Sequence, residues 1–220
     1  MTRAMICGSR REEDIRLLVE SGADGIGLIT EVWQKIACNL SREEARKLGR
    51  LIPPLVSSVL IVTEEKLDEI CRMVEHISPD VLQIHGFNKP QDTAALKQRL
   101  NIKIIKVLHL QGEQMAGGND PLAYAGECVS TGADAILLDS WQTDKVGATG
   151  IMAPLHLARA IRDSIYPVPL ILSGGLTVDN VSVTIDQVLP YSVDVHSGVI
   201  TQACLDAAKV KQFIAQVHSH

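Results

Sequence analysis

Gly132-Ala133-Asp134-Ala135-Ile136-Leu137-Leu138-Asp139 repeats the pattern of an earlier stretch, Gly22-Ala23-Asp24-Gly25-Ile26-Gly27-Leu28, and Ser78-Pro79-Asp80-Val81-Leu82 is a third, looser copy. Each time a helical stretch ends, a turn containing an aspartate follows, and a short apolar run begins. Runs that are apolar on both faces suit a parallel sheet covered by helices. The repeat therefore predicts a chain built from strand–helix units.

Working outward, the same alternation runs through the whole chain. Strands are predicted at residues 4–7, 25–29, 55–62, 81–84, 102–107, 135–139, 170–173 and 193–195. The segments between them carry helical spacing. Ile15, Leu18 and Val19 share one face before Gly22 closes the helix, and Leu67, Ile70, Cys71 and Val74 share another. Ser41 followed by Glu44 is a capping box. Pro121 opens a helix at its first position. Residues 90–100, 155–165 and 177–189 and the set Val210, Phe213, Ile214 and Val217 complete the helices. Eight strands alternating with helices, in 220 residues, predict an α/β fold: a single (β/α)8 TIM barrel forming one domain over residues 1–220. An open doubly wound sheet is the rival. It usually carries a Gly-rich fingerprint after its first strand, and Cys7-Gly8-Ser9-Arg10-Arg11 is not one.

A net charge of −5 leaves no basic footprint, so nucleic acid is not expected as a partner. The apolar runs are too short to span a bilayer, and Met1-Thr2-Arg3 leads into a strand without a signal-peptide run, so no membrane is expected. Five widely spaced cysteines without a CxxC pair argue for reduced thiols, a cytoplasmic location and no zinc site.

In a barrel the C-terminal strand ends form the active-site rim. They would gather Cys7, His85, Lys106, Asp139, Ser173-Gly174-Gly175 and His196-Ser197-Gly198. The Gly turns after the last two strands sit where barrels often hold a phosphate on backbone amides; taken singly, each reads equally as a tight turn. Cys7 reads as a small core residue or as a base. Asp139 ends an apolar strand where an unpaired carboxylate has no structural purpose. Asp194 lies inside the eighth strand as a structural partner or a substrate contact, His85 is a rim or positioning histidine, and Lys106 is expected to reach Asp139 inside the barrel. Trp33 and Trp141 are read as loop residues at the rim. His218 and His220 are expected to be idle at a frayed terminus, and Cys38, Cys71, Cys128 and Cys204 to be structural.

These motifs, in this order, resemble the phosphoribosylanthranilate isomerase family of tryptophan biosynthesis nearly end to end. The resemblance rests on Ile6-Cys7-Gly8, Gly22-Ala23-Asp24, Leu82-Gln83-Ile84-His85-Gly86, Ile105-Lys106, Leu137-Leu138-Asp139, Gly147-Ala148-Thr149-Gly150, Leu172-Ser173-Gly174-Gly175-Leu176 with Asn180, and Val193-Asp194-Val195-His196-Ser197-Gly198-Val199. It implies a cofactor-free, metal-free Amadori rearrangement of an N-(5-phosphoribosyl) amine, an aldose–ketose isomerisation of a small phosphorylated sugar, by a monomer or homodimer. Cys7 would be the general base and Asp139 the general acid. Gly174, Gly175, Ser197 and Gly198 would hold the phosphate, with Asp194 and His85 at the substrate. The sequence departs from the family in residues 30–40, where Cys38 stands in place of an arginine that binds the anthranilate carboxylate; His196 also replaces a serine. Lys35 is a point-charge substitute at most. A different ribosyl phosphate as substrate, or a non-catalytic phosphoribosyl binder, are the alternatives.

Overall fold

A computed structural model of the chain describes residues 1–142, 145–146 and 152–220, of which 141, 142, 145 and 146 are described by their backbone. The barrel strands are β1 (Arg3–Cys7), β2 (Gly25–Ile29), β3 (Ser57–Val62), β4 (Val81–Ile84), β5 (Lys103–Gln111), β6 (Ala135–Gln142), β7 (Leu170–Leu172) and β8 (Ser192–Val195). Each pairs in parallel with the next, and β1 pairs with β8, closing the barrel. The helices are α1 (Glu12–Ser21), α2 (Arg42–Gly49), α3 (Leu67–Ile77), α4 (Pro90–Arg99), α5 (Pro121–Ser130), α6 (Leu155–Ile165), α7 (Val181–Val188) and α8 (Ala207–His218).

The aspartates of the repeated motif have a common task. Asp24 accepts a hydrogen bond from Ala4 N, Asp80 from Ser58 N and Asp134 from Ile104 N, each at 2.8 Å. Their own N–H groups donate back to Ala4 O, Ser58 O and Ile104 O. Each clamp stitches an odd strand to the even strand after it at the base of the barrel, away from the strand C-termini. Tyr191 holds the equivalent position before β8 and keeps the backbone bond, to Leu170 O, without a carboxylate.

Period two along the strands divides the core. Met5, Cys7, Val59, Ile61, Ile105, Val107, Leu137 and Ile171 pack together inside the barrel. Ile6, Ile26, Leu60, Leu82, Ile104 and Val193 pack outward against the helices. The predicted caps form: Ser41 and Glu44 make a reciprocal box, and Gly22 ends α1 with φ 86°.

Several expectations need correction. β5 runs to Gln111 and folds back on Gln114–Met115; the polar His109 and Gln111 disguise this second half in the sequence. Lys106 points away from the barrel axis, since its neighbours Ile105 and Val107 take the inward positions. Its Nζ donates to Gly86 O at 3.0 Å, and burial pulls its pKa down to about 8. Trp141 belongs to β6, opposite Val146, and not to a loop. His218 meets Asp24 at 2.9 Å and His220 meets Asp186 at 3.0 Å, so neither is idle.

Candidate active site

The strand C-termini surround a pocket of about 110 Å³. Seven of the eight predicted site residues line it: Cys7 at the end of β1, His85 after β4, Asp139 in β6, Gly174 and Gly175 after β7, Asp194 in β8, and Ser197 after it. Gly198 sits behind this wall. A Cβ there would lie 2.0 Å from Leu176 O, so only glycine lets the turn after β8 close against the loop after β7. That loop is fixed by Asn180, whose Nδ2 donates to Gly175 O and whose Oδ1 accepts from Thr177 N.

Cys7 and Asp194 are the closest chemical pair. Both are buried, and register places Met5 opposite Asp194, which brings the carboxylate beside the next inward side chain of β1. Cys7 Sγ donates to Asp194 Oδ1 at 2.7 Å, and Ser173 Oγ donates to Asp194 Oδ2 at 3.2 Å. Room for the thiol comes from Gly27 on the neighbouring strand, where a Cβ would stand 2.4 Å from Sγ.

Burial dominates the electrostatics. Desolvation and the Asp194 charge push the Cys7 thiol well above its ordinary range. Desolvation and the same charge push the Asp139 carboxyl up to about 7. Desolvation raises Asp194 to about 6, with the bonds from Cys7 and Ser173 opposing it. Asp139 is therefore a carboxyl that exchanges its proton near neutral pH.

His85 Nε2 lies 3.5 Å from Asp139 Oδ2, while Nδ1 faces the Gln83 amide at 3.3 Å. His109, opposite Asp139 in the β5–β6 register, donates from Nε2 to His85 O. Sequence reasoning missed Gln83 and His109. The inward parity of Ile105 and Val107, carried two residues further, is the signal for His109. Among the described residues, His85, His109 and Asp139 are the group with metal-ligating atoms within 4.8 Å of one another. Burial holds both rings neutral, His85 at about 3 and His109 at about 4.

On the β2 side, Val32, Gln34 and Ile36 line the pocket, whereas Lys35 and Trp33 are exposed. Cys38 is buried, with Sγ 3.3 Å from His196 Nε2, so the two departures from the family pattern touch each other. Residues 147–150 of the expected Gly-Ala-Thr-Gly loop lie outside the described residues.

No helix among the described residues is long and apolar enough to cross a membrane. The model of the family described as N-(5'phosphoribosyl)anthranilate (PRA) isomerase matches residues 4–216. N-(5'-phosphoribosyl)anthranilate isomerase of Methanosarcina acetivorans is 35% identical over 222 residues, covering 98% of this chain and 93% of that protein. Its counterpart in Methanothrix thermoacetophila is 33% identical over 219 residues, covering 100% and 99%. The crystal structure of phosphoribosyl anthranilate isomerase from Thermotoga maritima superposes with a TM-score of 0.83 at 28% identity, covering all of both chains. A structure of such an isomerase in complex with reduced 1-(o-carboxyphenylamino)-1-deoxyribulose 5-phosphate gives 0.79, again at 28% identity and full coverage of both chains. The chain therefore belongs to the N-(5'-phosphoribosyl)anthranilate isomerase family, the aldose–ketose isomerases of tryptophan biosynthesis.

Proposed function

We propose that the chain isomerises N-(5'-phosphoribosyl)anthranilate to the 1-deoxyribulose 5-phosphate, with Asp139 as general acid and Cys7 as general base. The observation that carries this reading is the pocket itself. The Cys7 thiol and the Asp139 carboxyl line it from different strands, and burial brings that carboxyl's pKa up to about 7, where it can give and take a proton near neutral pH.

The steps follow from those groups. Asp139 protonates the ribose ring oxygen, the ring opens, and the amine nitrogen becomes an iminium. Cys7 then removes the proton from C2, the C–H electrons form the C1=C2 bond, and the iminium is quenched. Tautomerisation of that enol delivers a proton to C1 and leaves the ketone at C2. An acid and a base held on one bound sugar convert these transfers into intramolecular steps. Gly174, Gly175 and Ser197 suit the phosphate, with Gly198 permitting the two loops to meet. His85 and Asp194 border the sugar and the aglycone. A related isomerase is described in complex with reduced 1-(o-carboxyphenylamino)-1-deoxyribulose 5-phosphate, which supports a small phosphorylated sugar derivative as the ligand. A related structure, of monomers generated from the dimeric isomerase of Thermotoga maritima, supports a homodimer or a monomer as the assembly. Membership of a tryptophan-biosynthesis enzyme family supports a cytoplasmic location.

The Cys38–His196 contact favours a second reading, in which the aglycone is an amine lacking the carboxylate. The purified protein mixed with phosphoribosylanthranilate separates the readings. Cys7-dependent loss of anthranilate fluorescence supports the first. No turnover, with phosphate-bearing ligands still raising the melting temperature, overturns it in favour of another ribosyl phosphate or a non-catalytic binder.

A further inference from the structure

We propose that Asp194 acts through Cys7 by accepting its thiol proton, so that the two side chains form one base sharing one proton. The inference rests on Cys7 being the base of the reaction above. The contact is short, 2.7 Å from Sγ to Oδ1, and it is enclosed, with both residues buried and the second carboxylate oxygen held by Ser173.

The groups that act on the thiol come from three other elements: Asp194 on β8, Cys38 in the loop after β2 and Asp139 on β6. None of them supplies a positive charge. Cys38 faces His196, whose ring burial keeps neutral. A lone thiolate here would add a second buried negative charge beside Asp194, which the enclosed site resists. Handing the proton to Asp194 leaves the total charge unchanged.

The transfer balances. The S–H bond of Cys7 breaks as an O–H bond forms on Asp194 Oδ1. The freed sulfur lone pair takes the proton from substrate C2, whose C–H electrons become the C1=C2 bond. The pair, which began with one proton, then holds two. One of them returns to C1 in the final tautomerisation, while the enol O–H proton leaves to solvent. No oxidant or reductant is involved.

The test follows alkylation of Cys7 by iodoacetamide from pH 7 to 9, read at the Cys7 peptide by mass spectrometry, in the wild type and in Asp194→Asn. With a shared proton, the reactive thiolate is a fixed fraction of the singly protonated pair, and the wild-type rate changes less than about threefold. In Asp194→Asn the thiol must ionise alone, and the rate climbs by about tenfold per pH unit. Asp194→Glu, which retains a carboxylate, should restore the flat profile. A wild-type rate that climbs tenfold per unit overturns the proposal, as does a flat profile in Asp194→Asn. Should Asp194→Asn fail to fold, the wild-type profile alone decides. Alkylation uses no substrate, so a flat wild-type profile without turnover of phosphoribosylanthranilate would sink the functional reading and leave the shared proton standing.

Discussion

His85 Nε2 sits 3.5 Å from Asp139 Oδ2, yet the two do not form an ion pair. Burial beside His109 and Lys106 pulls the His85 pKa down to about 3, so the ring faces the carboxyl as a neutral imidazole. A cation at that distance would drive Asp139 toward its ionised form and spoil it as an acid. A neutral ring orients the carboxyl without discharging it. We expect His85→Ala to lower kcat by about 10- to 100-fold, within the range of a positioned proton transfer. His85→Gln, which keeps an amide near the same place, should recover part of the loss. Steady-state kinetics check both, and an unchanged kcat in His85→Ala would remove the ring from the mechanism.

The pH dependence follows from which form of each group works. The acid acts protonated, so activity falls on the alkaline side as Asp139 ionises, at about 7. The base must have lost one proton, so activity falls on the acid side as Asp194 is protonated, at about 6. The kcat/KM profile, which reports the free enzyme, is then a narrow bell with its maximum between those values. A broad plateau reaching pH 9 would contradict the assignment of Asp139.

Cys7→Ser should cost at least about 1,000-fold in turnover, because a hydroxyl ionises far less readily than a thiol. Asp139→Asn should be comparably damaging, since the amide has no proton to give. Both variants should still bind the product, as judged by a ligand-induced rise in melting temperature. A fluorescence assay showing near wild-type turnover in either would strike that residue from its role.

The clamps at the opposite end should be separable from catalysis. Asp80→Ala removes the acceptor for Ser58 N and Ser58 Oγ. We expect a loss of about 1.5–3 kcal/mol in stability, as for hydrogen bonds to a charged acceptor, with kcat unchanged. Denaturant unfolding beside kinetics checks this, and a fall in kcat matching that of the rim variants would show coupling between the two ends.

The clamps also explain why so much of the fold was legible in the sequence. Gly-Ala-Asp and Pro-Asp recur because the same turn must present the same carboxylate to a neighbouring strand. The runs after them are apolar on both faces because one face packs into the barrel and the other against helices. Legibility failed where polar side chains sit on buried strands. Lys106 read as a barrel-interior charge because the sequence pairs no lysine with a carbonyl oxygen, and Gly86 O is such a partner. Asp194 gave no sign of lying against Cys7, because that contact depends on the β1–β8 register across 187 residues. The thiol, the carboxyl and the Gly turns were legible because each stands where an apolar run of the sequence ends, although the strand that carries Asp139 continues to Gln142. The Cys38–His196 contact joins two loops and leaves no periodic trace.

The thiol of Cys7 occupies space that a side chain at Gly27 would fill. Its seat is therefore a joint property of two adjacent strands, a protruding residue on one and a gap on the other. The two positions cannot drift independently: any larger residue at 27 would expel the sulfur from its line to Asp194. Whoever transplants this base into another barrel must carry the vacancy across together with the cysteine.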